Sequence, residues 1–263
     1  MTLWEGMGNP ILLSLDVEEF DLPREYGLDI DDAKALEVSR RGLVKVMALI
    51  DRLDITVTCF TTAHFASNYP SLIKDISRRH EIACHGYTHS DHSSTNIYMA
   101  KAILEEIISK GVVGYRHPRL GAVATKTLTE SGFLYDSSVN PTWLPGRYMN
   151  LNMRRLPFRD GELWVLPISV TPLVRFPLFW LSFKGLPMGF YKALTAWTIK
   201  WDGYLNIYFH PWEFEDLSDL RVPFMIKKPS GDALLKRLGE FLLWLKGNGD
   251  FMNMGRYLEE VKR

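Results

Sequence analysis

Three segments between residues 11 and 62 decide the fold: ILLSLDV (11–17), SRRGLVKVMALIDRL (39–53) and ITVTCFTT (55–62). The first is a short apolar run that turns acidic at its end, which predicts a buried strand carrying Asp16 and Glu18 at its C-terminal edge. The second sets Leu43, Val46, Met47, Ile50 and Leu53 on one helical face. The third, rich in β-branched residues, reads as another strand. The alternation continues outward from there. Pro70 begins a helix, PSLIKDISRRH, and EIACHGYTH is a strand running into a histidine-rich loop. Residues 97–110 form an amphipathic helix, VVGYRHP is a strand ending in a loop, and TKTLTESG is a short helix stopped by Gly132. FLYDSSV, WVLPISVTP and LNIYFHPWEF read as further strands. GDALLKRLGEFLLWLKGNG is a late helix, followed by a short strand FMNM and a helix RYLEEVKR.

Repeated strand–helix alternation in a chain of 263 residues predicts an α/β barrel rather than an open sheet. Asp16, His85, Arg116 and His210 all fall just after predicted strands, which is where barrel chemistry is built. No repeat, low-complexity segment or linker interrupts the pattern, so one domain is expected over residues 1–263.

Lys plus Arg and Asp plus Glu both number 31, a balance unlike the basic excess of a nucleic-acid binder. A hydrophobic content of 46% excludes an acidic disordered chain. Two cysteines, Cys59 and Cys84, cannot form a disulfide framework. No secretory leader and no long uncharged apolar run is visible, so a cytoplasmic location is expected. The neutral total hides two runs. Residues 16–37 carry nine acids against two bases, and residues 110–159 carry eight bases against two acids. These are either solvated faces or partners that meet across a site.

HGYTH places His85 and His89 four positions apart, a spacing that aims both imidazoles at one point on a helical turn or tight loop. Asp16 and Glu18, two apart, share one side of a strand, so one can ligate a metal while the other stays free as a base. Glu19 reads as a solvated strand-end acid. Among the other histidines, His92 reads as a neighbour of the site or a surface residue and His117 as a candidate for the cleft wall. His64 and His80 read as structural, and Cys84 as a small core residue alternating away from His85. The apolar, aromatic stretch 173–191 is either ordinary core, a cap over the cleft, or a surface that touches lipid.

Taken in order, DVEEF, HGYTH, GYRHP, YDSSV and FHPWEF resemble the motifs of the polysaccharide deacetylases of the NodB-homology type, carbohydrate esterase family 4. The resemblance runs from about residue 11 to about residue 260. It implies a distorted (β/α) barrel of about seven parallel strands and a divalent metal, commonly zinc, held by one carboxylate and two histidines. By the same resemblance Asp16 is the catalytic base, His85 and His89 are metal ligands, Arg116 pairs with the base, and His210 is the general acid. The family's adjacent aspartate pair is replaced here by Asp–Val–Glu, which makes Glu18 the third metal ligand, with Glu19 as the alternative. The Asp-and-Trp motif that would orient the arginine is absent, and LPISVTP occupies its place.

The implied function is metal-dependent removal of an N-acetyl group from an amino sugar, whether in a polysaccharide, a peptidoglycan-like polymer or a lipid-linked glycan. The alternatives are the same chemistry on a cyclic imide, ureide or formamide, and a catalytically silent carbohydrate-binding member of the family. The expected partners are therefore a carbohydrate or lipid-linked sugar and, through 173–191, a membrane surface, with no nucleic acid.

Overall fold

The computed structural model describes residues 8–90 and 94–262. Strand β1 (Pro10–Val17) shows how the sequence builds the frame. Its odd-numbered side chains Ile11, Leu13, Leu15 and Val17 join the large apolar cluster under the helices. Leu12 instead joins a smaller cluster inside the curl of the sheet, with Phe60, Ala83 and Tyr135. Because side chains alternate along a strand, Ser14 and Asp16 continue the inward face of Leu12. The inward face thus grades from apolar to polar toward the strand's C-terminal end.

The remaining strands are β2 (Thr58–Thr61), β3 (Glu81–Cys84), β4 (Gly114–Tyr115), β5 (Tyr135–Asp136), β6 (Trp143–Leu144), β7 (Tyr148–Met149), β8 (Phe158–Asp160), β9 (Leu163–Val165), β10 (Leu205–Phe209) and β11 (Asp250–Phe251). The sheet order is β10-β1-β2-β3-β4-β5-β9-β8, and the first seven of these strands run parallel. β8 is antiparallel to β9, and β11 pairs with the first two residues of β1. β6 and β7 form a separate antiparallel hairpin. Asn206 on β10 bridges the gap to the segment after β9. Its carbonyl accepts from the Ser169 N–H, and its side chain donates to the carbonyls of Leu166 and Pro167. The result is a curled, incompletely paired (β/α) barrel of the distorted type expected.

The helices are α1 (Leu22–Glu25), α2 (Asp32–Arg52), α3 (Ala63–Asn68), α4 (Pro70–Ile76), α5 (Ser94–Ile108), α6 (Thr125–Glu130), α7 (Trp180–Gly185), α8 (Met188–Asp202), α9 (Phe224–Lys227), α10 (Gly231–Leu245) and α11 (Met254–Val261). Two of the differences from expectation have a clear local cause. α2 begins at Asp32, seven residues before the predicted 39, because Asp31 caps it by accepting from the Lys34 N–H and because Ala35 and Leu36 are buried. The strand predicted over WVLPISVTP stops at Val165, where Pro167 has no N–H to continue a ladder.

The stretch 173–191 divides. Leu178, Phe179, Trp180, Phe183 and Tyr191 are buried, whereas Leu173, Val174 and Phe190 face solvent. The segment is therefore part core and part exposed surface. No helix among the described residues is long and apolar enough to cross a membrane.

Candidate metal centre and cleft

Each side chain singled out by its motif leaves the barrel at the C-terminal end of a parallel strand: Asp16 on β1, Glu18 just past it, His85 after β3, Arg116 after β4 and His210 after β10. Asp16, Glu18, His85, His89 and His210 line one cleft, which is walled by Leu144, Tyr148, Phe179, Trp180, Tyr208 and Trp212.

The Glu18 carboxylate faces both imidazoles. Its Oε2 lies 3.1 Å from His85 Nε2 and 3.3 Å from His89 Nε2. One ligand atom from each of the three residues lies within 4.8 Å of the others, and all three side chains are buried. The second nitrogen of each ring is engaged elsewhere. His85 Nδ1 is 2.8 Å from the Arg116 carbonyl, and His89 Nδ1 is 2.7 Å from Asp21 Oδ1. With Nδ1 as donor, both rings present an Nε2 lone pair to the same point, which is how imidazoles are oriented for a cation. Trp212 Nε1 donates to Glu18 Oε1 at 3.2 Å and fixes the carboxylate from behind.

In the bare protein the electrostatics show how much negative charge this pocket concentrates. Burial pushes the Glu18 carboxyl up, but His89, His85 and His210 more than offset it and hold it at about 2. Burial likewise opposes protonation of His89, yet Glu18 and Asp21 raise it to about 9. A cation seated among these ligands replaces the proton as their partner, so the donor set fits a divalent metal.

Glu19 corrects its sequence reading. It is buried rather than solvated, and both oxygens are used: Oε1 accepts the His89 backbone N–H at 2.7 Å and Oε2 accepts the Thr62 hydroxyl at 3.0 Å. It therefore ties the His89 loop to the end of β2 and turns away from the two Nε2 atoms.

Arg116 is fully buried, and two serines take the place of the missing Asp-and-Trp motif. Its Nη1 donates to Asp16 Oδ1 at 2.6 Å and to Ser14 Oγ at 2.9 Å; its Nη2 donates to Ser137 Oγ at 3.0 Å and its Nε to the Ser137 carbonyl at 3.1 Å. The guanidinium also lies over the Phe60 ring at 4.1 Å and the Tyr208 ring at 5.1 Å. One residue thus positions Asp16 by its side chain and His85 by its carbonyl.

His210 stacks on Trp212 with ring centroids 4.8 Å apart and meets Trp180 edge-on at 5.2 Å. Its Nδ1 is 3.1 Å from Glu213 Oε1, which leaves Nε2 for the cleft. Burial lowers the His210 pKa, but the Glu213 hydrogen bond and the charges of Glu18, Glu213 and Asp16 together raise it. Glu213 is fully buried and lies 3.7 Å from the Lys184 ammonium.

Glu213, Asp21, Ser14 and Ser137 were missed from sequence. Only Glu213 left a signal, three residues beyond His210 in HPWE, a spacing that one turn of 3-10 helix brings together.

His117 is buried, with Nδ1 2.6 Å from the Pro118 carbonyl, and does not line the cleft. His64 pairs with Asp32, and His80 with Asp51. The buried Cys84 thiol is pushed up to about 12 by burial, so it stays protonated. His92 lies outside the described residues.

The comparisons with known proteins agree with this architecture. Residues 23–131 match the family model of the polysaccharide deacetylases, a span that includes His85, His89 and Arg116. Peptidoglycan deacetylase-like protein FGM2 of Gibberella zeae is 30% identical over 122 residues, covering 42% of this chain and 36% of that protein. The chain therefore matches little more than a third of that relative's length. A probable polysaccharide deacetylase from Pseudomonas aeruginosa PAO1 has the same fold, with a TM-score of 0.69 at 18% identity over 98% of this chain and 92% of that one. Puue allantoinase shares it too, at a TM-score of 0.66 and 17% identity over 98% and 91% of the two chains. Residues 23–131 thus resemble the polysaccharide deacetylases in sequence, and almost the whole chain shares a fold with solved proteins described in those terms.

Proposed function

We propose that the protein is a metal-dependent amide hydrolase that removes the N-acetyl group from an amino sugar. One observation carries this reading: the convergence in one cleft of a Glu18–His85–His89 donor set, a carboxylate held by a buried arginine, and a histidine held by a buried glutamate. Glu18, His85 and His89 would hold the metal, and their oxygen and nitrogen donors favour zinc. Such a metal supplies Lewis acidity toward the amide carbonyl and toward water.

The chain's own groups supply proton transfer and positioning. Arg116 fixes Asp16 through Oδ1, so the second oxygen is free to accept a proton from the attacking water. His210, kept protonated toward neutral pH by Glu213, donates from Nε2 to the departing amine nitrogen. The amide C–N bond breaks, a C–O bond forms, and acetate and a free amine leave. Tyr148, Phe179 and Trp180 offer aromatic faces against which a sugar ring can pack.

The test compares metal-loaded and chelator-treated protein on N-acetylglucosamine oligomers, lipid-linked N-acetyl sugars, formamides and small cyclic ureides. Acetate release from a sugar substrate that disappears on chelation and returns with zinc supports the proposal. Turnover confined to ureides or formamides redirects the same chemistry to another amide, and metal binding without turnover on any substrate leaves a carbohydrate-binding protein.

A further inference from the structure

The exposed apolar side chains are not scattered evenly. Trp143, Met149 and Leu151 on the β6–β7 hairpin are 59%, 72% and 45% exposed, and Leu173, Val174 and Phe176 on the turn before α7 are 77%, 72% and 37% exposed. The two loops are held together. The Thr142 hydroxyl donates to the Arg175 carbonyl at 2.7 Å, and the Arg175 guanidinium donates to the carbonyls of Pro141 and Met153 at 3.1 and 2.8 Å. The turn takes a left-handed backbone at Leu173 and Arg175, with φ of 64° and 53°, a conformation that disfavours side chains. The Arg175 side chain turns inward to the Pro141 and Met153 carbonyls, while Leu173 and Val174 project into solvent.

The same loops wall the cleft, since Leu144 and Tyr148 of the hairpin line it and Phe179 and Trp180 follow the turn. From Trp143 to Arg159 the chain has four arginines and no carboxylate. Arg147 and Arg155 pair with Glu25 and Asp202, while Arg154 and Arg159 lie against the rings of Phe158 and Trp164. The rim is thus protruding and apolar at its tips, carries the exposed guanidinium groups of Arg154 and Arg159 beside the two paired arginines, and is continuous with the proposed active site.

We infer that this rim docks on the surface of an anionic lipid bilayer, so that the cleft receives a lipid-anchored amino sugar. Leu, Val and Met at loop tips bury themselves among acyl chains, Trp sits at the headgroup level, and arginines behind them meet lipid phosphates. A polysaccharide would instead be recognised by flat aromatic faces combined with hydrogen-bonding groups, which the most exposed tips, Met149, Leu173 and Val174, lack. The identity of the reacting group rests on the deacetylase reading, whereas the docking rests on the rim alone.

The experiment is co-sedimentation of the zinc-loaded full chain with vesicles of phosphatidylcholine and phosphatidylglycerol, alongside the double variant L173D/V174D. The wild type is expected to pellet with vesicles, and the double variant to bind at least about tenfold more weakly, because two apolar side chains no longer enter the bilayer. Acetate release from soluble N-acetylglucosamine oligomers should be the same in both, since neither side chain lines the cleft. Wild-type protein left in the supernatant, equal vesicle binding by the two, or a wild-type dimer in solution that the double variant abolishes would each overturn the docking. If acetate is released without vesicle binding, only the docking fails; if vesicles are bound without turnover on any amide, only the deacetylase reading fails.

Discussion

Asp16 and Glu18 stand two residues apart at the end of one strand and face different partners. Glu18 turns to two imidazoles and Asp16 to a buried guanidinium. Glu19, one residue further, turns back to Thr62 and the His89 backbone. Glu18→Gln should weaken zinc binding by about 10–100-fold or more, because it removes a charged ligand. Glu19→Gln should keep one zinc per chain, while loosening the loop that carries His89. Elemental analysis after dialysis separates the two variants, and a zinc loss in Glu19→Gln equal to that in Glu18→Gln would reverse the assignment.

Asp136 gives a pH signature away from the metal. Burial raises its carboxyl from 3.8 to about 6, against the opposing pull of Ser138 and Arg116. A folded pKa above the unfolded one means that the native state holds the extra proton, so stability falls as pH rises from near 4 through 6. The difference amounts to about 3 kcal/mol. Asp136→Asn should remove that fall, which denaturant unfolding at pH 4.5 and 7.5 would reveal as a flatter profile than the wild type. Asp16, Glu18, His85, His89 and Arg116 were legible because each sits in a spaced motif, whereas Glu19 and His117 of the same motifs were misread. Ser14, Ser137 and Asp21 were not legible, because a serine or aspartate on a strand or loop carries no mark of the partner that long-range folding brings to it.

At the scale of elements, the last histidine is held by a helix that is distant in sequence. α2 crosses the 3-10 turn Pro211–Phe214 so closely that a Cβ at Gly42 would come within 1.9 Å of the Pro211 carbonyl oxygen. Gly42 is therefore required for the approach and is not a flexible point in the helix. Gly42→Ala should cost about 1–3 kcal/mol of stability through overpacking. The displaced turn should also lower kcat more than it changes KM, since it carries His210. Thermal unfolding together with steady-state kinetics would show both, and unchanged values in both would mean the contact is looser than described.

The strands with alternating or β-branched sequence and the helices with a clean apolar stripe were readable in advance. α8 was not, because Tyr191, Thr195, Thr198 and Ile199 face inward while Phe190 and Trp201 lie on its exposed side. Aromatic residues on both faces blur the periodicity on which a helix prediction rests. The 173–191 segment failed for a related reason. Its apolar residues serve two surfaces, one against the barrel and one facing out.

For the molecule as a whole, the balanced charge total resolves into a cleft where the acidic and basic runs meet. Arg116 pairs with Asp16, Arg119 with Asp21 and Glu25, and Arg147 with Glu25. The barrel places these pairs around Glu18, His85 and His89, whose buried oxygen and nitrogen donors could hold a metal ion. Metal binding should consequently stabilise the fold, by about 2.7 kcal/mol at a free metal concentration of 100 times Kd. The measurement that bears most directly on the account combines zinc stoichiometry with acetate release from an N-acetyl amino sugar in the wild type and in Asp16→Asn. The account predicts one zinc per chain in both proteins, with turnover lowered about 100-fold or more in the variant because the proton acceptor is gone. Wild-type turnover by Asp16→Asn, or undiminished acetate release by wild-type protein stripped of metal, would contradict it.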